Sequence, residues 1–474
     1  MLKRLFSNPL VKKLLAFSFG TWVAFLFGFI STPITTRLFM PEEMGKASMF
    51  DLAMNIIAIF VIFGTDQAYV RFYYQEESNN RKHLLKKVLF LPSLIFIIFS
   101  IIILSFPDYI SRKLFNEQIQ NISVLLIAGI LLTVVHRFAI LVIRMQQKGV
   151  IFSYLQILVK VISIVTIIGL YLFMGNGAKV LIFAEIIALM IVCLCALNFS
   201  KEEWRFTIKK ADTKNSFSDI LKFSSPLLFT TMIMWLFQSF DRLAIKQFCS
   251  YEELGIYVAA FRIIAVLNIF QTSFTTFWTP VAYEHYEKDP DNKTIFARTH
   301  AYVALGMISL GIVSIMCKDI ITLLVGKSYR EASSVMPFLI FIPVMYTISE
   351  TTVLGINFFK KVKWTLIISI IVCVTNVIGN FLLVPHFQGK GAAISTGISY
   401  VLFFMLRTSI ARRYYKFNIS GYKLFASILI LKGYAMLNTF ISLDFRLNIL
   451  FGTLCLAAIG VIYFDIIKQL LAPE

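Results

Sequence analysis

Long apolar runs separated by short polar turns fill almost the whole chain. A membrane-spanning helix needs about 20 consecutive apolar residues, because each residue advances about 1.5 Å through a hydrocarbon core about 30 Å thick. About fourteen runs reach that length. The pattern predicts an all-α polytopic membrane protein with about 14 transmembrane helices. The predicted spans are 14–36, 46–64, 88–106, 122–143, 150–173, 179–198, 224–246, 255–281, 299–317, 335–357, 364–385, 391–411, 422–441 and 444–466.

The composition agrees with a chain that faces lipid. Of the 474 residues, 58% are hydrophobic and only 15% are charged. Soluble domains average about 25% charged residues, so this chain has too few charges to cover an ordinary water-facing surface. The net charge of +19 comes from lysines and arginines that lie mostly between the apolar runs. That distribution is typical of loops beside anionic lipid headgroups and argues against nucleic-acid binding.

Basic residues concentrate in every second loop, beginning with Lys3 and Arg4 and ending with Lys468. Because cytoplasmic loops of membrane proteins carry the excess of lysine and arginine, both termini are predicted to be cytoplasmic. The largest inward loop, near 201–219, lies midway along the chain. We therefore predict an N-terminal six-helix lobe (1–200), a cytoplasmic linker (201–220), a C-terminal six-helix lobe (221–413) and a terminal helix pair (414–474).

Two short motifs recur at an offset of about 210 residues. The sequence EEMG at 42–45 returns as EELG at 252–255, and GNGA at 175–178 corresponds to GKGA at 389–392. Six spans per half bring the chain back to the side on which it started, so the two halves should share one orientation. Transporters built from such parallel repeats enclose a central cavity that opens to either side by rocking of the lobes.

The 6 + 6 + 2 arrangement, the EE-x-G turn in each half and the segment SSPLLFTTMIMWLFQSFDRLAI resemble the Wzx-type polysaccharide flippases. These form the polysaccharide-transport branch of the MOP superfamily, which also contains MATE multidrug exporters and lipid II flippases. The resemblance implies transfer of an undecaprenyl-pyrophosphate-linked oligosaccharide from the cytoplasmic to the outer leaflet of the bacterial cytoplasmic membrane. It also implies coupling to a sodium or proton gradient, a functional monomer surrounded by membrane lipid, and other polysaccharide-assembly proteins as candidate partners.

Charged residues inside the predicted spans are the candidate substrate ligands. An ionised side chain at mid-bilayer costs about 2.5–3.5 kcal/mol on insertion scales, so several of them in one chain should face water or one another. A lipid-linked pyrophosphate is an anion, and fixed ammonium or guanidinium groups can replace its water. The basic candidates are Arg262, Lys160, Arg137 and Lys432, and the embedded acids are Asp51, Glu185, Asp241 and Glu350.

Each basic candidate also has a simpler interpretation. Lys160 could pair with Glu185 on the adjacent span, and Arg137 could extend to the inner interface. Lys432 could line a groove for the lipid tail or pair internally. Arg262 is the leading candidate, because the resemblance implies that the eighth span lines the cavity. The first predicted span has no basic residue before Arg37, unlike the lipid II branch, so lipid II itself is not the expected cargo.

A sodium site is implied by the resemblance to lipid II flippases, which hold the ion between their seventh, eleventh and twelfth spans. Asp241, Thr396 and the pair Asn376 and Asn380 occupy the corresponding positions. The two asparagines lie one helical turn apart and therefore on one helix face. Asn380 stands where those flippases have a carboxylate. The alternatives are that Asp241 pairs with Arg242 or Lys246 while the asparagines bridge helices, or that protons couple through Asp241, Glu185 or Glu350.

Two other classes of function remain open on the sequence. A MATE-type exporter of small amphipathic cations would have twelve spans and an acidic cavity. A membrane glycan polymerase or ligase would need a sizeable outward loop, and the outward loops here are short. No nucleophile–base pair, metal cluster or phosphate-binding glycine loop is evident, so neither an enzyme nor a cofactor beyond the coupling ion is expected.

Overall fold

A computed structural model describes residues 9–118, 121–206, 214–361 and 363–471, and this part of the chain is helical and contains no β-strand. The middle of the predicted linker, 207–213, lies outside the described residues. The long helices are α1 (Pro9–Leu38), α2 (Pro41–Ile62), α3 (Arg81–Ser105), α4 (Ile122–Met145), α5 (Gly149–Met174), α6 (Ala178–Phe199), α7 (Phe217–Phe248), α8 (Tyr251–Lys288), α9 (Thr294–Met316), α10 (Ala332–Thr352), α11 (363–387), α12 (389–414), α13 (Gly421–Phe440) and α14 (Phe445–Ile462).

Helices α11 and α12 form a hairpin within one hydrogen-bonded stretch, Lys363–Tyr414. A straight helix of its 52 residues would be about 78 Å long at about 1.5 Å per residue, more than twice the hydrocarbon core of about 30 Å. Gln388 interrupts it with φ 52° and ψ −132°. A Cβ on Gly391 would lie 2.4 Å from the Leu383 carbonyl oxygen, so glycine is required where the chain turns back. The stretch therefore contains two spans, as the sequence predicts.

The multi-pass all-α fold is confirmed. In the described residues, 12 helices are long and apolar enough to cross a membrane, with Lys363–Tyr414 counted once. Dividing that stretch at Gln388 gives thirteen, and α13, which carries Lys423 and Lys432, would be the fourteenth. Shorter helices in the turns include Thr65–Phe72, Pro107–Phe115, Lys201–Trp204, Lys318–Leu323, Leu354–Phe358 and Phe464–Leu471.

The helices form two compact units. The N-terminal unit comprises residues up to Ser31 together with Glu43–Leu236, and the C-terminal unit comprises Thr32–Glu42 together with Phe237–Glu474. In the C-terminal unit, the end of α1 is held by the 326–329 turn: the Gly326 N–H donates to the Thr36 hydroxyl at 3.2 Å. The predicted lobe boundaries follow the loops, whereas the packing assigns parts of α1 and α7 to each unit.

The recurring motifs contact each other inside each unit. In the N-terminal unit, the Glu43 carboxylate accepts from the Ala178 backbone N–H, which joins the EEMG and GNGA motifs. In the C-terminal unit, Glu253 accepts from the Gly389 backbone N–H, which joins EELG and GKGA. The acidic residues also lie in the first turn of α2 and α8, where the helix dipole favours negative charge. The same motif therefore has the same structural role twice.

A buried carboxylate joins the short helices Lys201–Trp204 and Thr65–Phe72 in the N-terminal unit. Glu203, on the short helix Lys201–Trp204, accepts from the Tyr69 hydroxyl at 2.5 Å and from the Tyr73 hydroxyl at 2.8 Å. Gln146 at the end of α4 donates to the same carboxylate at 3.0 Å. Burial and the neighbouring carboxylate raise the pKa of Tyr69 and Tyr73, so both hydroxyls remain donors at physiological pH. The helix Thr65–Phe72 is thereby held in place.

Candidate functional site

A buried polar cluster lies around Asp241 in the C-terminal unit. The hydroxyls of Tyr257 and Thr396 each donate to Oδ2 of Asp241 at 2.6 Å. The side-chain amides of Asn380 and Asn376 donate to Oδ1 at 2.8 Å and 3.2 Å. All five side chains are buried. One carboxylate thus receives four hydrogen bonds from three other helices.

Local geometry explains why these residues meet. Asn376 and Asn380 are four residues apart on α11 and face the same side, and Asn380 Nδ2 donates to the Asn376 backbone carbonyl at 2.9 Å. A Cβ on Gly379 would lie 2.4 Å from Ser395 Oγ, so a glycine here lets α12 approach α11 closely. That approach brings Thr396 to Asp241. The structure therefore brings together the four residues that the resemblance implied as a sodium site.

The oxygen atoms of this cluster are suitable ligands for a small monovalent cation. Asp241, the two asparagines and Thr396 offer carboxylate, amide and hydroxyl oxygens, which hard cations prefer. The Asn380 side-chain oxygen is buried and has no hydrogen-bond partner. A rotation of the Asn380 side-chain amide would exchange its oxygen and nitrogen and turn the oxygen towards Asp241. A single carboxylate would balance one positive charge.

The two basic residues considered as alternative partners of Asp241, Arg242 and Lys246, each lie against an aromatic ring. The Arg242 guanidinium lies 5.8 Å from the centre of the Phe261 ring, and Lys246 Nζ lies 5.8 Å from the centre of the Tyr251 ring. The hydrogen bonds of Asp241 go to hydroxyl and amide groups instead. In the ranges 19–118, 121–206, 214–361 and 363–469, whose side chains are described, no group of three or more His, Cys, Asp or Glu residues could hold a metal.

Arg137 of α4 pairs with an acid that the sequence analysis did not consider. Its Nε and Nη2 donate to Oδ2 of Asp66 at 3.1 Å and 2.8 Å. The Asp66 side chain is 7% exposed and that of Arg137 is 55% exposed. Asp66 lies beyond the predicted second span, in the first turn of the short helix Thr65–Phe72. Asp66 therefore holds one edge of the Arg137 guanidinium, and the rest of the side chain is exposed.

Glu350 of α10 is likewise engaged. The Arg407 Nη1 of α12 donates to Glu350 at 2.8 Å and to the Ser349 hydroxyl at 2.6 Å. Both charged side chains are 11% exposed, and the Arg407 guanidinium lies 4.9 Å from the Phe403 ring centre. Glu350 is among the acids predicted to be embedded, whereas Arg407 is not among the predicted candidates, although an arginine within a predicted span is a visible signal. This ion pair fastens α10 to α12.

The remaining candidates lie on α5, α6, α8 and α13. Arg262 is half-buried on α8, three residues before the start of the 3₁₀ turn Ala265–Leu267 that interrupts the helix. Lys160 lies within α5 and Lys432 within α13, each with an exposed side chain. Glu185 on α6 is half-buried. The roles assigned to these four residues stay predictions.

Comparisons with known proteins give a consistent result. A family profile described as polysaccharide biosynthesis protein matches residues 10–285. No curated protein matches the sequence. Among solved structures, the lipid II flippase MurJ in an inward closed conformation is similar with a TM-score of 0.67 and 16% identity, over 95% of this chain and 99% of that one. The crystal structure of a MATE point mutant is similar with a TM-score of 0.56 and 14% identity, over 88% and 97%. An inward-facing multidrug resistance MATE transporter of the MOP superfamily has a TM-score of 0.56 and 15% identity, over 88% and 98%.

Proposed function

Because the chain belongs to the polysaccharide biosynthesis protein family and has the fold of the lipid II flippase and MATE transporters, we propose that it is a flippase for an undecaprenyl-pyrophosphate-linked oligosaccharide. It would carry this lipid from the cytoplasmic to the outer leaflet of the bacterial cytoplasmic membrane, with both termini in the cytoplasm. The observation that carries the proposal is the family match, which spans 10–285 and so more than half of the chain.

The task requires a cationic path through the membrane. The pyrophosphate must leave water, and arginines replace its hydration with charge-assisted hydrogen bonds. Arg262 is the leading ligand in the C-terminal unit, because it is half-buried beside the interruption of α8. Lys160, Arg137 and Lys432 are the further basic ligands of this proposal. Conformational exchange of the family fold would then expose them to each leaflet in turn.

We assign ion coupling to the Asp241 cluster. Its oxygen donors and its unpartnered Asn380 oxygen support sodium as the ion. The competing coupling ion is the proton, carried by Asp241 or Glu185. Glu350 is the weakest proton carrier of the three, because Arg407 already holds its carboxylate in an ion pair at 2.8 Å. When bound, sodium would contribute the free energy of its gradient, and the chain's own residues would provide its ligands.

Replacement of Arg262 tests the proposal in cells. We expect Arg262→Ala to abolish surface glycan display in a host that depends on this flippase, because the phosphate loses a fixed cation at depth. Arg446→Ala is the control, since Arg446 is an exposed arginine at the start of α14 in the same unit. Membrane abundance of both variants is measured by immunoblotting. Normal glycan display by Arg262→Ala would remove this residue from the mechanism.

A further inference from the structure

The N-terminal unit contains a polar cavity of about 390 Å³. Ligand pockets measure about 300–1,000 Å³, so this cavity can hold a headgroup-sized ligand but not a whole oligosaccharide. Helices α2, α4 and α7 and the short helix Thr65–Phe72 supply its walls. The polar lining residues are Asn55, Asp66, Gln67, Thr133, His136, Arg137 and Thr231.

Arg137 presents unused hydrogen-bond donors to this cavity. A guanidinium has five N–H groups. Two of them go to Asp66, and in the described part of the chain the hydrogen bonds of Arg137 go to Asp66 alone. Asp66 is held in place, because the Gln67 amide also donates to its Oδ2 at 3.1 Å and Glu203 holds Tyr69 on the same short helix. The fixed anion therefore occupies one edge of the guanidinium and leaves the other edge open.

We propose that this cavity binds the phosphate of the lipid-linked headgroup at Arg137, and that Asp66 is an internal counter-ion that limits the affinity. This inference rests on the proposed function. A guanidinium binds phosphate through two parallel N–H donors, and Arg137 retains more than two. The side-chain amides of Asn55 and Gln67 suit the hydroxyls of the first sugar.

The direction of the Asp66 effect follows from two opposing contributions to the affinity. Asp66 pre-orders the Arg137 side chain, and ordering one long side chain is worth about a two- to tenfold change in affinity. Asp66 also repels the phosphate. Two anions about 6 Å apart across one guanidinium, at an effective dielectric constant of about 20, repel by an amount worth on the order of 100-fold in affinity. Repulsion outweighs pre-ordering, so Asp66 weakens binding and promotes release of the headgroup after transfer.

Binding of inorganic pyrophosphate to the full-length purified protein, measured by isothermal titration calorimetry, tests this assignment. We expect Asp66→Asn to bind pyrophosphate about tenfold or more tightly than the wild type, because the lost repulsion exceeds the lost pre-ordering. Arg137→Ala alone would leave a buried carboxylate without its partner and could fail to fold. The double variant Asp66→Asn/Arg137→Ala avoids this and should bind at least about tenfold more weakly than Asp66→Asn, since one charged hydrogen bond is worth that much.

Arg71→Ala is the matched control, because Arg71 is exposed at the other end of the same short helix and should leave the affinity unchanged. Equal or weaker binding by Asp66→Asn than by the wild type would overturn the counter-ion role. Equal binding by the double variant and Asp66→Asn would overturn Arg137 as the ligand.

Glycan display by the same variants separates this site from the proposed function. If the wild type restores glycan display, we expect Asp66→Asn to slow it, because tighter binding delays release. If the wild type restores glycan display but the double variant and Asp66→Asn bind pyrophosphate with equal affinity, the phosphate site at Arg137 is rejected and the proposed function stands. If Asp66→Asn binds pyrophosphate more tightly and the double variant more weakly, as expected, but the wild type never restores glycan display, the proposed function is rejected and the anion site stands.

Discussion

The hydrogen bond from Thr396 to Asp241 can be removed by the single change Thr396→Val. The hydroxyl donates at 2.6 Å to a carboxylate that is 3% exposed. A hydrogen bond to a charged group is worth about 1.5–3 kcal/mol, so the variant should lose about 2 kcal/mol of the free energy of unfolding. Asn376 also donates to Thr396 at 3.1 Å, so the variant removes the acceptor of one of its two amide N–H groups, while the other keeps Asp241 as its acceptor.

The free energy of unfolding can be measured by SDS titration of the purified protein in mixed micelles, followed by tryptophan fluorescence. Thr453→Val is the control, because Thr453 is exposed and its hydroxyl donates to the Leu450 carbonyl of its own helix. Sodium should stabilise the wild type relative to choline, by about 2.7 kcal/mol at 100 times its dissociation constant. Thr396→Val should reduce that increment. A variant as stable as Thr453→Val, with an unchanged response to sodium, would refute the assignment of a charged, hydrogen-bonded Asp241.

Two further predictions concern the C-terminal unit. Gly255→Ala should greatly reduce the yield of folded protein in size-exclusion chromatography, because the new Cβ would lie 1.9 Å from the Pro41 carbonyl oxygen. Gly306→Ala is the control, because Gly306 has open space around it and the variant should keep its yield. Equal yields of the two variants would contradict the packing around Gly255. Glu350→Gln should lower the free energy of unfolding by about 3–5 kcal/mol, because it leaves the buried Arg407 without its counter-ion. The double variant Glu350→Gln/Arg407→Gln should recover much of that loss, and no recovery would show that the pair does not act as a unit.

The sequence predicted the features that depend on periodicity within one helix. The spans follow from the length of the apolar runs, and the shared face of Asn376 and Asn380 follows from their four-residue spacing. The recurrence of EE-x-G predicted two equivalent turns between spans, and the structure places both copies in the first turn of a helix, α2 and α8. These are local properties, and the structure retains them.

Contacts between distant segments could not be predicted in this way. Tyr257 donates to Asp241 from another helix, and nothing in its own surroundings distinguishes it from other tyrosines in predicted spans. Asp66 falls just outside a predicted span, and the turn at Phe63 and Gly64 returns it to Arg137. Only the packing of helices decides which embedded charges meet.

The charge of each polar cluster bears on transport. The Asp241 cluster has one carboxylate and four neutral partners, so one bound monovalent cation would leave it neutral. The Arg137–Asp66 pair is neutral when empty, which lowers the cost of keeping an arginine at membrane depth. Each site would thus change its charge by binding its own ligand, which is how a ligand can favour one conformation over another.

The central claim is that this chain carries a lipid-linked saccharide across the bilayer. The most direct measurement reconstitutes the purified protein in liposomes that contain a fluorescent undecaprenyl-pyrophosphate oligosaccharide and an imposed sodium or proton gradient. The accessible fraction of the saccharide is then followed with an added glycosidase. The account predicts that the wild type exposes the inner-leaflet saccharide faster than Arg262→Ala does, and that dissipating the gradient slows it. Equal exposure in wild-type, Arg262→Ala and protein-free liposomes would contradict the account.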